Sequence, residues 1–190
     1  KVHTNNGTKI DTINEINATI QPHAIITTGK NSDVVIQIDS GTAIHIKENS
    51  EFRIKKGSHR KFIAKVQHGE ILAVVSKRMQ NQEFTIETDH SRSQVLGTIF
   101  SIKAEKVLSP VSQLLVHEGA VKFINTHTGA SEIIRAGYTG IITDNELTQR
   151  PISDNIIYIR DYSYVNLLLN QSVPDAPSIT KGIIEINSIP

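Results

Sequence analysis

The sequence predicts an all-β chain of many short antiparallel strands in a sandwich, barrel or solenoid-like roll. Three observations carry this. Apolar residues alternate with polar ones from Ile25 to Thr143, as in Val34-Val35-Ile36-Gln37-Ile38 and Ala43-Ile44-His45-Ile46, and a period of two is the mark of a half-buried strand. Glycine-bearing turns punctuate the alternation, as in Asp39-Ser40-Gly41-Thr42 and Glu118-Gly119. Ile and Val dominate the apolar residues while aromatics make up only 5%, and β-branched side chains suit a pleated surface.

In order along the chain, residues 1–24 read as a polar N-terminal arm, with a lead-in strand around Ile10–Ile20. The strands expected next are Ile25–Thr28, Asp33–Ile38, Ala43–Ile46, Glu51–Lys55, Lys61–Val66, Glu70–Val75 and Glu83–Thr88. Ser93–Leu96, Thr98–Ala104, Gln113–His117, Ala120–Asn125, Ser131–Arg135 and Tyr138–Thr143 complete a β domain over residues 25–143. Turns are expected at Gly57-Ser58 and His68-Gly69, among others. Residues 144–190 read as a C-terminal extension or linker, interrupted at Arg150-Pro151 and Val173-Pro174-Asp175-Ala176-Pro177. Within it, Val165–Leu169 suits either a short helix or a strand.

A chain of 190 residues can bury a core without covalent staples. The net charge of +1 gives no reason to expect nucleic acid or an anionic membrane as a bulk partner. The absence of cysteine excludes disulfides, thiolate catalysis and thiolate metal sites. No apolar run is long enough to span a bilayer as a helix. The opening Lys1-Val2-His3-Thr4 carries no signal-peptide pattern, so a mature or trimmed form is expected.

The order of short motifs resembles the FecR domain of bacterial cell envelopes. The elements are Ile26-Thr27-Thr28-Gly29, the turn Asp39-Ser40-Gly41-Thr42, the strand at Ser50-Glu51-Phe52-Arg53-Ile54, Gly69-Glu70-Ile71 and Phe84-Thr85-Ile86-Glu87-Thr88. Leu96-Gly97-Thr98-Ile99-Phe100-Ser101-Ile102, Val116–Val121 and Ala136-Gly137-Tyr138 close the series. The strand Ile71-Leu72-Ala73-Val74 lacks the paired aromatics usual in the family. The resemblance implies an extracytoplasmic, periplasmic or outer-membrane-associated, non-catalytic β domain with a protein partner in the cell envelope. In the best-known members this domain relays a signal from an outer-membrane transporter to a sigma factor, and a small α/β subdomain meets the transporter. The residues after 150 look too few for that subdomain, so a free-standing envelope binding or scaffold module is the leading expectation. A periplasmic sensor domain of a sigma-factor regulator is one alternative, and a glycan-binding β protein is the other.

Gly41, Gly97 and Gly119, with Thr98 beside the second, are expected to serve turns rather than ligands. The eight histidines are scattered without i,i+2 or i,i+4 pairs. His45 and His117 fall on polar positions of alternating strands and read as solvated residues, so no metal site and no cofactor are expected. Asp89-His90-Ser91 holds the letters of a triad, but adjacency does not arrange one, and no catalytic residue is assigned. Arg53, Lys55, Arg60 and Lys61 form the densest basic patch, on a hairpin. Tyr158, Tyr162, Tyr164 and Leu168 concentrate aromatic and apolar surface in the extension. These two groups are the candidate partner surfaces, and self-association through the extension is a further expectation.

Overall fold

The computed structural model describes residues 2–5, 10–12, 20, 23–58, 60–105 and 110–152. These residues form strands and turns without a helix. The strands are β1 (Val2–Asn5), β2 (Ile10–Thr12), β3 (Ile25–Thr28), β4 (Val34–Asp39), β5 (Thr42–Ile46), β6 (Glu51–Ser58), β7 (Lys61–Val75) and β8 (Glu83–Glu87). They continue as β9 (Ser91–Val95), β10 (Thr98–Glu105), β11 (Val111–Glu118), β12 (Ala120–Asn125), β13 (Ser131–Arg135), β14 (Tyr138–Ile142) and β15 (Leu147–Pro151).

All fifteen strands belong to one hydrogen-bonded network that rolls into two layers, and the long strand β7 belongs to both. Its first part pairs with β6 and β8, and its last part pairs with β5 and β10. One layer runs β2-β1-β3-β6-β7-β8-β9-β12-β13, and the other runs β4-β5-β7-β10-β11-β14-β15. β13 also lies against β11 and β14, so the roll nearly closes. The core fills the space between the layers. Phe52, Phe84, Phe100 and Phe123 are fully buried among Ile26, Ile36, Ile44 and Ile86, each such side chain contributing about 1.5–3 kcal/mol by leaving water.

The all-β expectation is met, with four local differences. His68-Gly69 is not a turn between two strands but a bend within β7. Gly69 has φ +92°, and a Cβ there would lie 2.6 Å from the Cα of Ser50, so the sharp bend needs glycine. Gly57-Ser58 likewise lies inside β6, which carries a register shift between Ile54 and Lys56. β8 pairs parallel to the first part of β7, and the connection between the paired segments runs through the rest of β7 and 76–82 rather than reversing tightly. Arg150-Pro151 does not end the strands: β15 pairs with β14 through Tyr138↔Pro151, and as an edge strand it tolerates a residue without an N–H.

The meander sorts its turns by parity. The turns β8–β9, β12–β13 and β14–β15 gather at one end of the roll, linked by bonds such as Thr126 N–H to His90 O at 2.9 Å. The turns β9–β10, β11–β12 and β13–β14 gather at the opposite end, where Ala136 N–H donates to Gly119 O at 3.0 Å. Strands of five to six residues separate the two ends by about 16–20 Å.

Candidate functional site

The family-like motifs converge on one end. In the turn between β4 and β5, Asp39 accepts the Gly41 N–H at 3.0 Å through one oxygen and pairs with Arg78 Nη1 at 2.8 Å through the other. Arg78 Nη2 donates to Thr42 Oγ1 at 2.6 Å, and its guanidinium lies 5.4 Å from the centroid of Phe84. The Asp39-to-Thr42 motif thus clamps a nearly buried arginine contributed by the crossover between β7 and β8. Gly41 meets Ser76 closely, since a Cβ there would lie 2.8 Å from the serine Cβ. Gly97 has φ +139° and room for no Cβ beside the Lys77 backbone, 2.8 Å away. Gly119, at φ +80°, packs on the Gly97 carbonyl, and Thr98 Oγ1 donates to Ala120 O at 3.0 Å. These groups are consumed in building the end of the roll.

Beside this end a shallow groove of about 420 Å³ opens on the outer face of β8, β9, β12 and β13, lined by Phe84, Gln94, Leu96, Lys122 and Ile133. Leu96 is 68% exposed and Ile133 50%, with Met79 exposed close by in sequence to the groove's Gln82.

The basic hairpin is largely neutralised. Lys55 meets Glu87 at 2.6 Å, Lys61 meets Glu83 at 2.5 Å and Lys65 meets Asp89 at 2.6 Å. Burial pushes the Glu87 carboxyl up, but Lys55 and Arg92 outweigh it and hold the group below the ordinary carboxylate range. The hydrogen bond from Lys61 does the same for Glu83. Among the described residues, no ion pair engages Arg53 or Arg60, and both are exposed. Tyr158, Tyr162, Tyr164 and Leu168 lie outside the described residues, as does the helix-or-strand segment 165–169.

Two histidine assignments need correction. His45 is buried, with Nε2 2.6 Å from Asp33 Oδ2. The alternation misled because β5 is buried on both faces, so its polar position does not reach water. His117 is half-buried, bonded to Ser101 Oγ at 3.0 Å, and its pKa is pushed down to about 4 by burial, with a smaller contribution from Lys47. Asp89-His90-Ser91 does not form a nucleophile and base. Ser91 is buried and bonded to Thr88 Oγ1 at 2.8 Å, while the His90 ring in the preceding turn meets His127 and Asp144 instead.

At the opposite end, residues that sequence reasoning left apart meet. His90 Nδ1 lies 3.3 Å from His127 Nδ1 and 2.9 Å from Asp144 Oδ1. The two imidazole rings stack with centroids 5.0 Å apart and planes 20° apart. Each residue sits in a different turn, and one buried side chain ties two of those turns together. Asn125 Oδ1 accepts the N–H of His127 at 2.9 Å and of Thr128 at 3.1 Å, and its Nδ2 donates to Thr143 O at 3.1 Å. Thr88 Oγ1 accepts the His90 N–H at 3.2 Å. The one available signal was positional: each of the three follows a strand that ends at the same side of the meander.

Comparison with known proteins agrees with this architecture. Residues 24–122 match the family described as FecR protein. Two crystal structures of a candidate anti-sigma factor from Parabacteroides distasonis ATCC 8503 share the fold, each with a TM-score of 0.60 and 16% identity. Each match covers 70% of this chain and 62% of the other, so the likeness extends over less than two thirds of that protein. No curated protein matches the chain. With its family match spanning more than half its length and its strands following the expected order of motifs, the chain belongs to the FecR protein family.

Proposed function

We propose that this chain is the extracytoplasmic sensor domain of a sigma-factor regulator, acting through protein contact and without catalysis. The observation that carries this reading is the FecR match over residues 24–122, together with a fold shared with candidate anti-sigma factors. It is favoured over the free-standing scaffold module expected from the sequence, because the two solved structures that share the fold are described as those of a candidate anti-sigma factor. The geometry is compatible with it. Ser91, the hydroxyl of the Asp89-His90-Ser91 run, is buried and bonded to Thr88.

Within this reading the contact surface is the extension around Tyr158, Tyr162, Tyr164 and Leu168, with the hairpin second. Aromatic and leucine side chains supply more binding energy than rim charges, which mainly govern encounter rate. On the hairpin, Lys55 and Lys61 are already paired, which leaves Arg53 and Arg60 for a partner.

The test is genetic. Removing the codons for residues 24–152 from the native gene and sequencing total RNA should change one sigma-factor-dependent set of transcripts severalfold. A transcript profile indistinguishable from that of the parent strain contradicts the reading.

A further inference from the structure

We propose that His90, His127 and Asp144 form a binding site for a divalent transition-metal ion of the zinc class. Three potential ligand atoms converge, all lying within 4.8 Å of one another. The separation of the two Nδ1 atoms, 3.3 Å, is what two imidazoles on one ion require: zinc–nitrogen bonds of about 2.0–2.1 Å at a tetrahedral angle set the nitrogens about 3.3–3.4 Å apart. Asp144 Oδ1 lies 2.9 Å from His90 Nδ1, and as an exposed side chain it can adjust to become the third ligand.

The alternative occupant of this space is a proton. Without an ion, the contacts of 3.3 Å to His127 and 2.9 Å to Asp144 are held by ring protons whose placement depends on the imidazole tautomers. A cation would engage one lone pair from each of the three residues once the stacked rings turn toward it. Two imidazoles and one carboxylate with positions open to solvent suit zinc, cobalt, nickel or copper. Calcium and magnesium, which prefer oxygen ligands, are disfavoured.

The site is also held in place before any ion arrives. Asn125, fully buried, fixes the backbone of His127 and of Thr143, next to Asp144. Thr88 fixes the backbone of His90, and Thr126 N–H bonds His90 O. Preorganisation of this kind lowers the ordering cost of ligation. Bound metal would clip the turns β8–β9, β12–β13 and β14–β15 to one another at one end of the roll.

The experiment uses tag-free protein titrated with cobalt(II) chloride, whose visible absorption reports imidazole coordination, followed by displacement with zinc(II) chloride. The expected result is saturation at one equivalent, with affinity falling on the order of ten- to a hundredfold in His127→Ala and in Asp144→Asn. His127 and Asp144 are both exposed, so each variant should fold, and far-ultraviolet circular dichroism checks this. No saturable cobalt signal in the parent protein, or a signal unchanged in both variants, overturns the proposal.

Discussion

The two ends of the roll are built from similar tight turns but use their polar residues in opposite ways. At the glycine end, Asp39, Thr42, Arg78, Gly97, Thr98 and Gly119 bond or pack against one another. At the histidine end the structural bonds come from Asn125 and Thr88, which are buried, while His90, His127 and Asp144 are carried on the turns those bonds hold. The lesson is that the motifs which mark the family specify the fold. His90, His127 and Asp144 lie between or beyond the motifs that carry the resemblance.

If that division is right, damage to the glycine end should cost stability most. Gly97→Val puts a β-branched side chain at φ +139° against the Lys77 backbone, so a loss of at least about 1–3 kcal/mol is expected. Chemical denaturation measures it, and an unchanged midpoint would show that the close approach relaxes freely. Arg78→Ala removes the partner of Asp39 and a donor to Thr42, with an expected cost of about 2 kcal/mol. Asp39→Asn, which keeps the turn bond to Gly41 but weakens the ion pair, should cost less, and equal losses would argue that packing on Phe84 dominates.

A third test concerns pH. The folded-state pKa of His117 is depressed to about 4 against an ordinary 6.5. Above pH 6.5 both folded and unfolded forms are neutral there, and stability is unaffected. Between pH 6.5 and 4 the unfolded state takes up a proton that the folded state refuses, so stability falls as pH falls through that window. His117→Gln should flatten the decline, which thermal unfolding from pH 7 to 4.5 would reveal. A slope identical in both proteins would assign the acid sensitivity elsewhere.

Much of the fold was legible in the sequence, and the exceptions share a cause. Ile25–Thr28, Ala120–Asn125 and Ser131–Arg135 are strands with the ends expected from alternation and turns. Gly69 misled because a glycine at positive φ serves a bend as well as a turn, and only the approach of Ser50 distinguishes the two. β15 was hidden because an edge strand accepts Pro151, which local reading takes as a breaker. His45 was misassigned because burial on both faces of β5 depends on the rest of the roll. The histidine cluster was invisible for a related reason: 37 residues separate His90 from His127, and only the pairing of β9 with β12 brings their turns together.

The smallest effect expected is also the most informative. In the presence of a chelator, His127→Ala should unfold within about 0.5 kcal/mol of the parent protein, because its ring is exposed and the turn is held by Asn125. Zinc(II) should then raise the thermal midpoint of the parent and leave that of the variant unmoved. Thermal unfolding of this pair, with chelator and with zinc, tests the division between the two ends most directly. A His127→Ala variant as unstable in chelator as Arg78→Ala, or one that still responds to zinc as the parent does, would contradict it.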